Sequence, residues 1–522
     1  MDSITKEEKQ FKIFMQVSGW TYFLVGFAFA FAPILILEEI NIIADAVGGL
    51  PYPTHVQDGK PVGKFWLSLT FSMMMTITAL CYFVQRNPRK NRSYAVPLMI
   101  SKSASALSAL FFYLFAAEVE KYFAYIVIFI VDGSLFWMTL FFYLRTYKAW
   151  FESQITIFRK EAKDPKITPP TTVIALKGDD KFKLLEDVVK QTGFIDVLND
   201  HFKKSGKTDK NNFSVVIKPN FMFLHHIKDY STYTDPELVE ALVDKIHYEG
   251  YTNITIVEAQ STLGNYFNNR DVLSVAKYVG YSENKNYKIV DLTKTMVEYD
   301  YGGRLGKHCV GPAWRDADFR ISFAKNKTHV FCNYTLTLKN IYGTLPMQNK
   351  LKEYHTKREY DWPTIESMKH FWVHFGFIDA FSSADGQFGV IVDPKPNHTK
   401  TIIGGENLIA VDWVGAKKMG LDPDDPNVGR FLPLAVEAFG KPEEIKWVGD
   451  KSVYQPWENV SEVFIRSLDL LEEAYHFSNF FFSGVAAMDK HFSYKVTALP
   501  NLLLRKFLIP FKKIFYKYDH LG

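Results

Sequence analysis

The stretch PELVEALVDKIHYEGYTNITIVE, Pro236–Glu258, holds a helix and a strand in direct succession. Asp235 is placed to cap the helix, Pro236 stands at its first position, and Gly250 marks its end. Ile254–Glu258 then reads as a strand. Helices alternating with strands imply a parallel sheet, because parallel neighbours need a crossover between them.

The alternation extends both ways. Thr172–Leu176, Ser214–Lys218, Tyr287–Asp291 and Phe319–Phe323 read as strands. Lys181–Val189, Val272–Val279 and Asn407–Met419 read as helices, the last stopped by Gly420. The expected fold class is α/β: a parallel-sheet domain with helices on both faces, over residues 172–460. Residues 151–171 read as a polar linker ending in TPP.

Four apolar runs come first: Phe14–Leu37, Phe65–Phe83, Tyr94–Ala117 and Tyr122–Leu144. Each approaches the ~20 residues that cross a bilayer as a helix. Residues 1–150 are therefore expected to be a transmembrane unit of four helices. Lys6, Lys9 and Lys12 precede the first run, Arg86, Arg89, Lys90 and Arg92 lie between the second and third, and Arg145 and Lys148 end the fourth. Positive loops stay inside, so the N-terminus and the large domain are expected in the cytoplasm of a multi-pass protein of the cell membrane. The charged start, MDSITKEEKQFK, and the long run behind it argue against a cleavable leader. Lys102 and Asp132 fall inside the third and fourth runs at similar depth, and an intramembrane ion pair is expected.

Residues 461–522 read as a helical region. Within it LPNLLLRKFLIPFKKIFYKY, Leu499–Tyr518, puts Leu504, Phe507, Leu508, Phe511, Phe515 and Tyr518 on one face. Arg505, Lys506, Lys512, Lys513 and Lys517 fall on the other. This predicts a basic amphipathic tail on the membrane surface, against the plainer alternative of a helix packed on the domain core.

Composition narrows the classes. With 23% charged residues beside 47% hydrophobic ones, the chain is not purely membranous. A net charge of +4 is too small to argue for nucleic acid, and none is expected. The three cysteines, Cys81, Cys309 and Cys332, form no C-x-x-C pair, so no iron–sulfur cluster or cysteine zinc site is expected.

In parallel sheets, ligands bind beyond the carboxyl ends of the strands. There stand Lys218 and Asn220 of KPN, Glu258 at its strand tip, and KNKTH, read as the loop after Phe319–Phe323, with Lys325, Lys327 and His329. TLTLKNIYG returns Lys339 to the same rim, with Asn340 and Gly343 in the turn that follows. Asp379, Asp385 and Asp412 are placed at later tips. Lysines held together lower each other's pKa, which favours a neutral, nucleophilic amine or an anionic partner. Glu258 and His329 could move protons, and a neutral His329 could bind a metal with His355. The plainer alternative leaves Lys325 and Lys327 in solvent and His329 capping a loop.

KPN, TDPELVEAL, the strand ending in Glu258, AKNKTH, TLTLKNIYGTLP, IDAF…DGQFG and AVDWVGAKKMGLDP resemble, in family order, the family called domain of unknown function 362. The resemblance runs from about Thr172 to Asp450 and implies an α/β fold without an assigned activity. Some members of that family carry ferredoxin-type cysteine clusters, which this chain lacks. A second resemblance is to the nickel-pincer lactate racemase family. His329, Lys339 and His355 keep the spacing of its histidine, its cofactor-carrying lysine and its nickel-binding histidine. NYTLTL here replaces that family's Gly-rich stretch, and QSTLG its GTHR-type turn, so the spacing implies a shared pocket position and not the nickel cofactor.

The expected function is a membrane-anchored enzyme with a cytoplasmic α/β catalytic domain acting on an anionic substrate, lipid-like or another small molecule. Lys218, Asn220, Glu258, Lys327, His329 and Lys339 are the catalytic candidates. His329 and His355 are the metal candidates, for a divalent ion; the cofactor is otherwise open. The alternatives are a nickel-pincer-type racemase or isomerase of a hydroxy acid, and a non-catalytic ligand-binding or scaffolding subunit. Expected partners are the lipid bilayer, the substrate and, in the last alternative, a membrane-protein complex.

Overall fold

A computed structural model of the chain describes residues 6–52, 64–88, 91–115, 121–161, 166–222, 224, 226–282, 286–303, 305–356, 361–386, 395–425, 428–460, 489–499, 502–503 and 506. Most of the expected helical region at 461–522, with its amphipathic tail, lies outside the described residues, as do Arg89 and Lys90. The chain divides into two compact units, Met1–Lys163 and Asp164–Gly522.

Among its described residues the first unit has four segments long and apolar enough to cross a membrane: Lys6–Phe31, Ser68–Arg86, Arg92–Phe115 and Phe123–Thr146. The first ends earlier than the apolar run Phe14–Leu37 predicts. Pro33 offers no N–H to the helix and holds Ala32 at φ −137°, ψ 48°, so a separate helix, Pro33–Ala46, follows. The last helix continues to Glu161, into the stretch read as a linker. Lys6–Phe31 packs along Lys64–Arg86. Gly26 makes that approach possible, since a Cβ there would lie 2.9 Å from the Met74 Cβ. The expected ion pair is present: Lys102 Nζ lies 2.9 Å from Asp132 Oδ1, with Lys102 buried and its amine 4.6 Å from the centre of the Tyr22 ring.

The second unit is built on a ten-stranded sheet. Its strands are β1 (Thr171–Lys177), β2 (Val215–Pro219), β3 (Ile254–Glu258), β4 (Lys288–Asp291), β5 (Phe319–His329), β6 (Asn333–Thr335), β7 (Phe375–Asp385), β8 (Lys395–Asn397), β9 (Thr401–Gly405) and β10 (Ile445–Gly449). The order across the sheet is β10-β1-β9-β7-β5-β2-β3-β4, with β6 pairing on β5 and β8 on β7. Along that order only β9 runs against its neighbours, so the sheet is mostly parallel. β2, β3 and β4 step outward in one direction, and the chain then crosses back to lay β5 on the other flank of β2. The connections leave β2 and β5 on opposite sides, which opens a crevice at their carboxyl ends.

Helices cover both faces. Leu184, Val188, Leu238, Leu242 and Val275 pack over Val215, Ile217, Ile321 and Phe323 on one face. Ala410, Val411 and Val414 pack over Val173, Ala175, Ile378 and Ile403 on the other. Ile174 faces one cluster while its neighbours Val173 and Ala175 face the other, as strand geometry requires.

The sheet also departs from the sequence reading at one strand. KNKTH is the second half of β5, not a loop after it. Two partners keep the backbone paired there: β7 matches Asp379 with Lys325, and β6 folds back to match Thr335 with Lys327 and Asn333 with His329. Charged residues lower strand propensity, but two paired flanks satisfy the backbone and override it.

Candidate functional site

The site sits at the crevice between β2 and β5. Lys218 and Ser322 are register partners on those strands and present their side chains to the same side. The short helix Thr337–Ile341 lies over them. It has no local side-chain cap; instead Asp412, from the distant helix Leu408–Lys418, accepts hydrogen bonds from the backbone N–H groups of Thr337 (2.7 Å) and Leu338 (3.0 Å). Asp412 is therefore an anchor of this helix and not a residue of a strand tip. Its burial pushes its pKa up to about 7, against the opposing pull of the bonds from Thr337 and Leu338.

Asn340 is the hub. Its Nδ2 donates to the Lys218 carbonyl (2.7 Å) and to Ser322 Oγ (3.1 Å). Its Oδ1 accepts from Lys218 Nζ and from Asn220 Nδ2, both at 3.2 Å. All four capacities of the amide are thus used inside the protein. Lys218, fully buried, also donates to Glu258 Oε2 at 2.8 Å and to the Pro219 carbonyl at 2.6 Å. Lys327 Nζ donates to Asn220 Oδ1 (2.8 Å) and to the Thr232 carbonyl (2.7 Å). Gly343 closes over the pair: a Cβ there would lie 2.5 Å from Glu258 Oε1, from Lys218 Cε and from Lys218 Nζ.

Lys339 is different. Its amine lies 4.4 Å from the centre of the Tyr342 ring and 5.7 Å from that of Phe431. Among the described residues no carboxylate and no hydrogen-bond acceptor bonds to it. Burial lowers its pKa, and Lys218 adds to that. Lys327 is held well below the usual lysine value by burial, then by Lys339 and Lys325. Lys350 has its amine among the carbonyls of Leu345, Gly343 and Tyr342, and burial brings it down to about 7. Four amines, those of Lys218, Lys327, Lys339 and Lys350, feel the field of one common carboxylate, Glu258.

His329 joins the cluster. Its Nδ1 accepts from the Phe331 N–H (3.2 Å), and its pKa is driven well below 6.5 by burial, then by Lys339, Lys327 and His355. Among the described residues no group of three or more His, Cys, Asp or Glu side chains is placed to hold a metal ion.

A neutral buried imidazole has a measurable consequence. Unfolded, it titrates near 6.5; folded, it stays neutral to lower pH. Between those values the unfolded state binds the extra proton, so stability falls as pH drops below about 6.5. His374, brought down to about 3 mainly by burial, acts in the same direction. Lowering the pH from 7 to 5 is expected to remove on the order of 1–2 kcal/mol through His374 alone. Urea midpoints of the His374→Gln and His329→Gln variants should each show a flatter pH dependence; an unchanged slope in both would refute the assignment.

Of the residues nominated from the sequence, the structure brings Lys218, Asn220, Glu258 and Lys327 into one bonded network, with Lys339, His329 and His355 in its field. It separates Lys325, which forms its own fully buried pair with Asp379 at 2.8 Å. Asp385 accepts instead from the N–H groups of Gly386 and Glu458. Asn340 and Gly343 are central to the site and not merely turn residues, and Lys350 was not foreseen. The signal for Asn340 was its place beside Lys339 in an otherwise apolar run.

Residues 215–417 match the family model described as Domain of unknown function (DUF362). The match runs from β2 to the end of the Leu408–Lys418 helix and includes every residue of the cluster. No curated protein and no solved structure matches the chain.

Proposed function

We propose that this chain, whose residues 215–417 form a domain of that family, is a membrane-anchored enzyme acting on an anionic substrate. The observation that carries the reading is the Lys339 amine, without a protein acceptor among the described residues, in a cluster of four amines that share one carboxylate. Such an excess of buried positive charge is relieved by an anion or by loss of a proton. The two routes are compatible: the positive field of the cluster draws the anionic group toward Lys339, and a neutral Lys339 attacks or takes a proton. Glu258, fixed by Lys218, is the proton acceptor within reach of the same network. The four apolar helices supply the anchor and favour a substrate with a lipid portion. The lysines and arginines flanking those helices favour a cytoplasmic placement of both the N-terminus and the α/β domain.

Pyridoxal phosphate, an anionic aldehyde, tests the reading. The intact protein in detergent is treated with it, reduced with borohydride and mapped by mass spectrometry. Lys339 is expected to be modified about tenfold faster than exposed lysines such as Lys203, because more of it is neutral at a given pH. Inorganic phosphate should slow that modification, and Lys339→Met should remove it. Equal modification of surface lysines, with no protection by phosphate, would sink the proposal.

A further inference from the structure

A separate cleft of about 520 Å³ opens at the carboxyl edge of the sheet, where the loop after β1 meets the β7–β8 hairpin. Its walls are aromatic. Phe182 and Tyr230 are 48% and 43% exposed, so their ring faces are open at the cleft mouth. The Tyr230 and His398 rings lie within 20° of parallel, centroids 6.1 Å apart, and Phe381 lines the same space.

Its electrostatics are acidic. Helices Lys181–Gln191 and Pro236–Tyr248 both begin at this cleft, and each N-terminus is already filled by a carboxylate. Asp180 accepts from the N–H groups of Phe182 and Lys183, and Asp235 from that of Glu237. An incoming anion would find those donors taken and would face carboxylates. Lys181 is shared between Asp235 and Glu237, and Lys400 pairs with Asp179. Four carboxylates against two ammonium groups leave the cleft two negative charges in excess.

Ser382 adds an independent mark. It lines the cleft at 7% exposure, and its Oγ has no hydrogen-bond partner among the described residues. A buried hydroxyl is ordinarily satisfied, so a polar ligand group is expected against it.

We propose that this cleft binds an organic ammonium ion, its cationic head against the Tyr230 and Phe182 rings, within the field of Asp179, Asp180 and Asp235, and hydrogen-bonded by a neighbouring polar group to Ser382. Aromatic faces attract such cations while carboxylates supply the long-range field. The protein already shows the contact, with Lys181 Nζ 5.1 Å from the centre of the Phe182 ring. The ammonium can belong to a free amine or to a choline-type lipid headgroup.

The test is calorimetric titration of the intact protein in a maltoside detergent. Choline, glycerophosphocholine and the neutral choline isostere 3,3-dimethylbutan-1-ol are the probes. Choline is expected to bind saturably, about tenfold more tightly than the isostere. Tyr230→Ala and Phe182→Ala, both at exposed positions, should each weaken it by about the same factor while the melting temperature holds. Asp179→Asn should weaken it and flatten its salt dependence. Glycerophosphocholine binding as tightly as choline supports a lipid headgroup, and choline alone supports a small free ammonium compound. Equal binding of the isostere, full binding by both aromatic variants, or no saturable heat from any probe up to about 10 mM overturns the proposal.

Discussion

Replacing Lys325 with Met, or Asp379 with Leu, is expected to lower stability by about 3–5 kcal/mol each, and replacing both by far less than the sum. The pair is 2.8 Å apart, with side chains 1% and 0% exposed, so water cannot compensate a lone partner. The two losses should not be equal. Without Lys325, Asp379 still accepts from the N–H groups of Asp235 (2.9 Å) and Phe381 (3.1 Å). Without Asp379, the buried ammonium loses its carboxylate, and the Asp235 N–H at the start of the Pro236–Tyr248 helix loses its acceptor. Asp379→Leu should therefore be the worse single change. Denaturant midpoints of the three variants, followed by tryptophan fluorescence, decide it; strict additivity would mean the pair does not act as a unit.

Gly343→Ala is expected to disable the site at a cost of about 1–3 kcal/mol in stability. The reason is space and not backbone conformation. The new methyl would lie 2.5 Å from both sides of the Lys218–Glu258 pair, and the Gly343 carbonyl is tied to the Ala259 N–H at 3.1 Å, which resists retreat. The pair must part, which leaves Glu258 and Lys218 to find new partners in a closed space. Phosphate protection of Lys339 should be lost in this variant. A Gly343→Ala protein that keeps both its stability and that protection would show the contact to be soft.

Much of the fold was legible because it is written locally. The Pro236–Tyr248 helix starts at Asp235 as its capping chemistry predicts, and β3 occupies Ile254–Glu258 as read. The four spans follow from length and apolarity. The early end of the first was missed, although Pro33 restricts its own residue and the one before it. The second half of β5 was not legible: Lys325, Lys327 and His329 look like loop residues until β6 and β7 flank them.

Short-range pattern placed the carboxyl ends of β2 and β3, at Lys218 and Glu258, and put Lys327 on the same rim although it took the end of β5 for a loop. It thereby nominated Lys218, Asn220, Glu258 and Lys327, which do meet. Which of these groups bond to one another follows from long-range packing. Asn340 binds Lys218 across 122 residues, Asp412 caps the Lys339 helix across 75, and Asp379 takes Lys325 away from the cluster across 54. These bonds depend on strand order and on which face each helix covers. Both are set by burial of the whole core, and neither leaves a periodic trace in the residues that make the bonds.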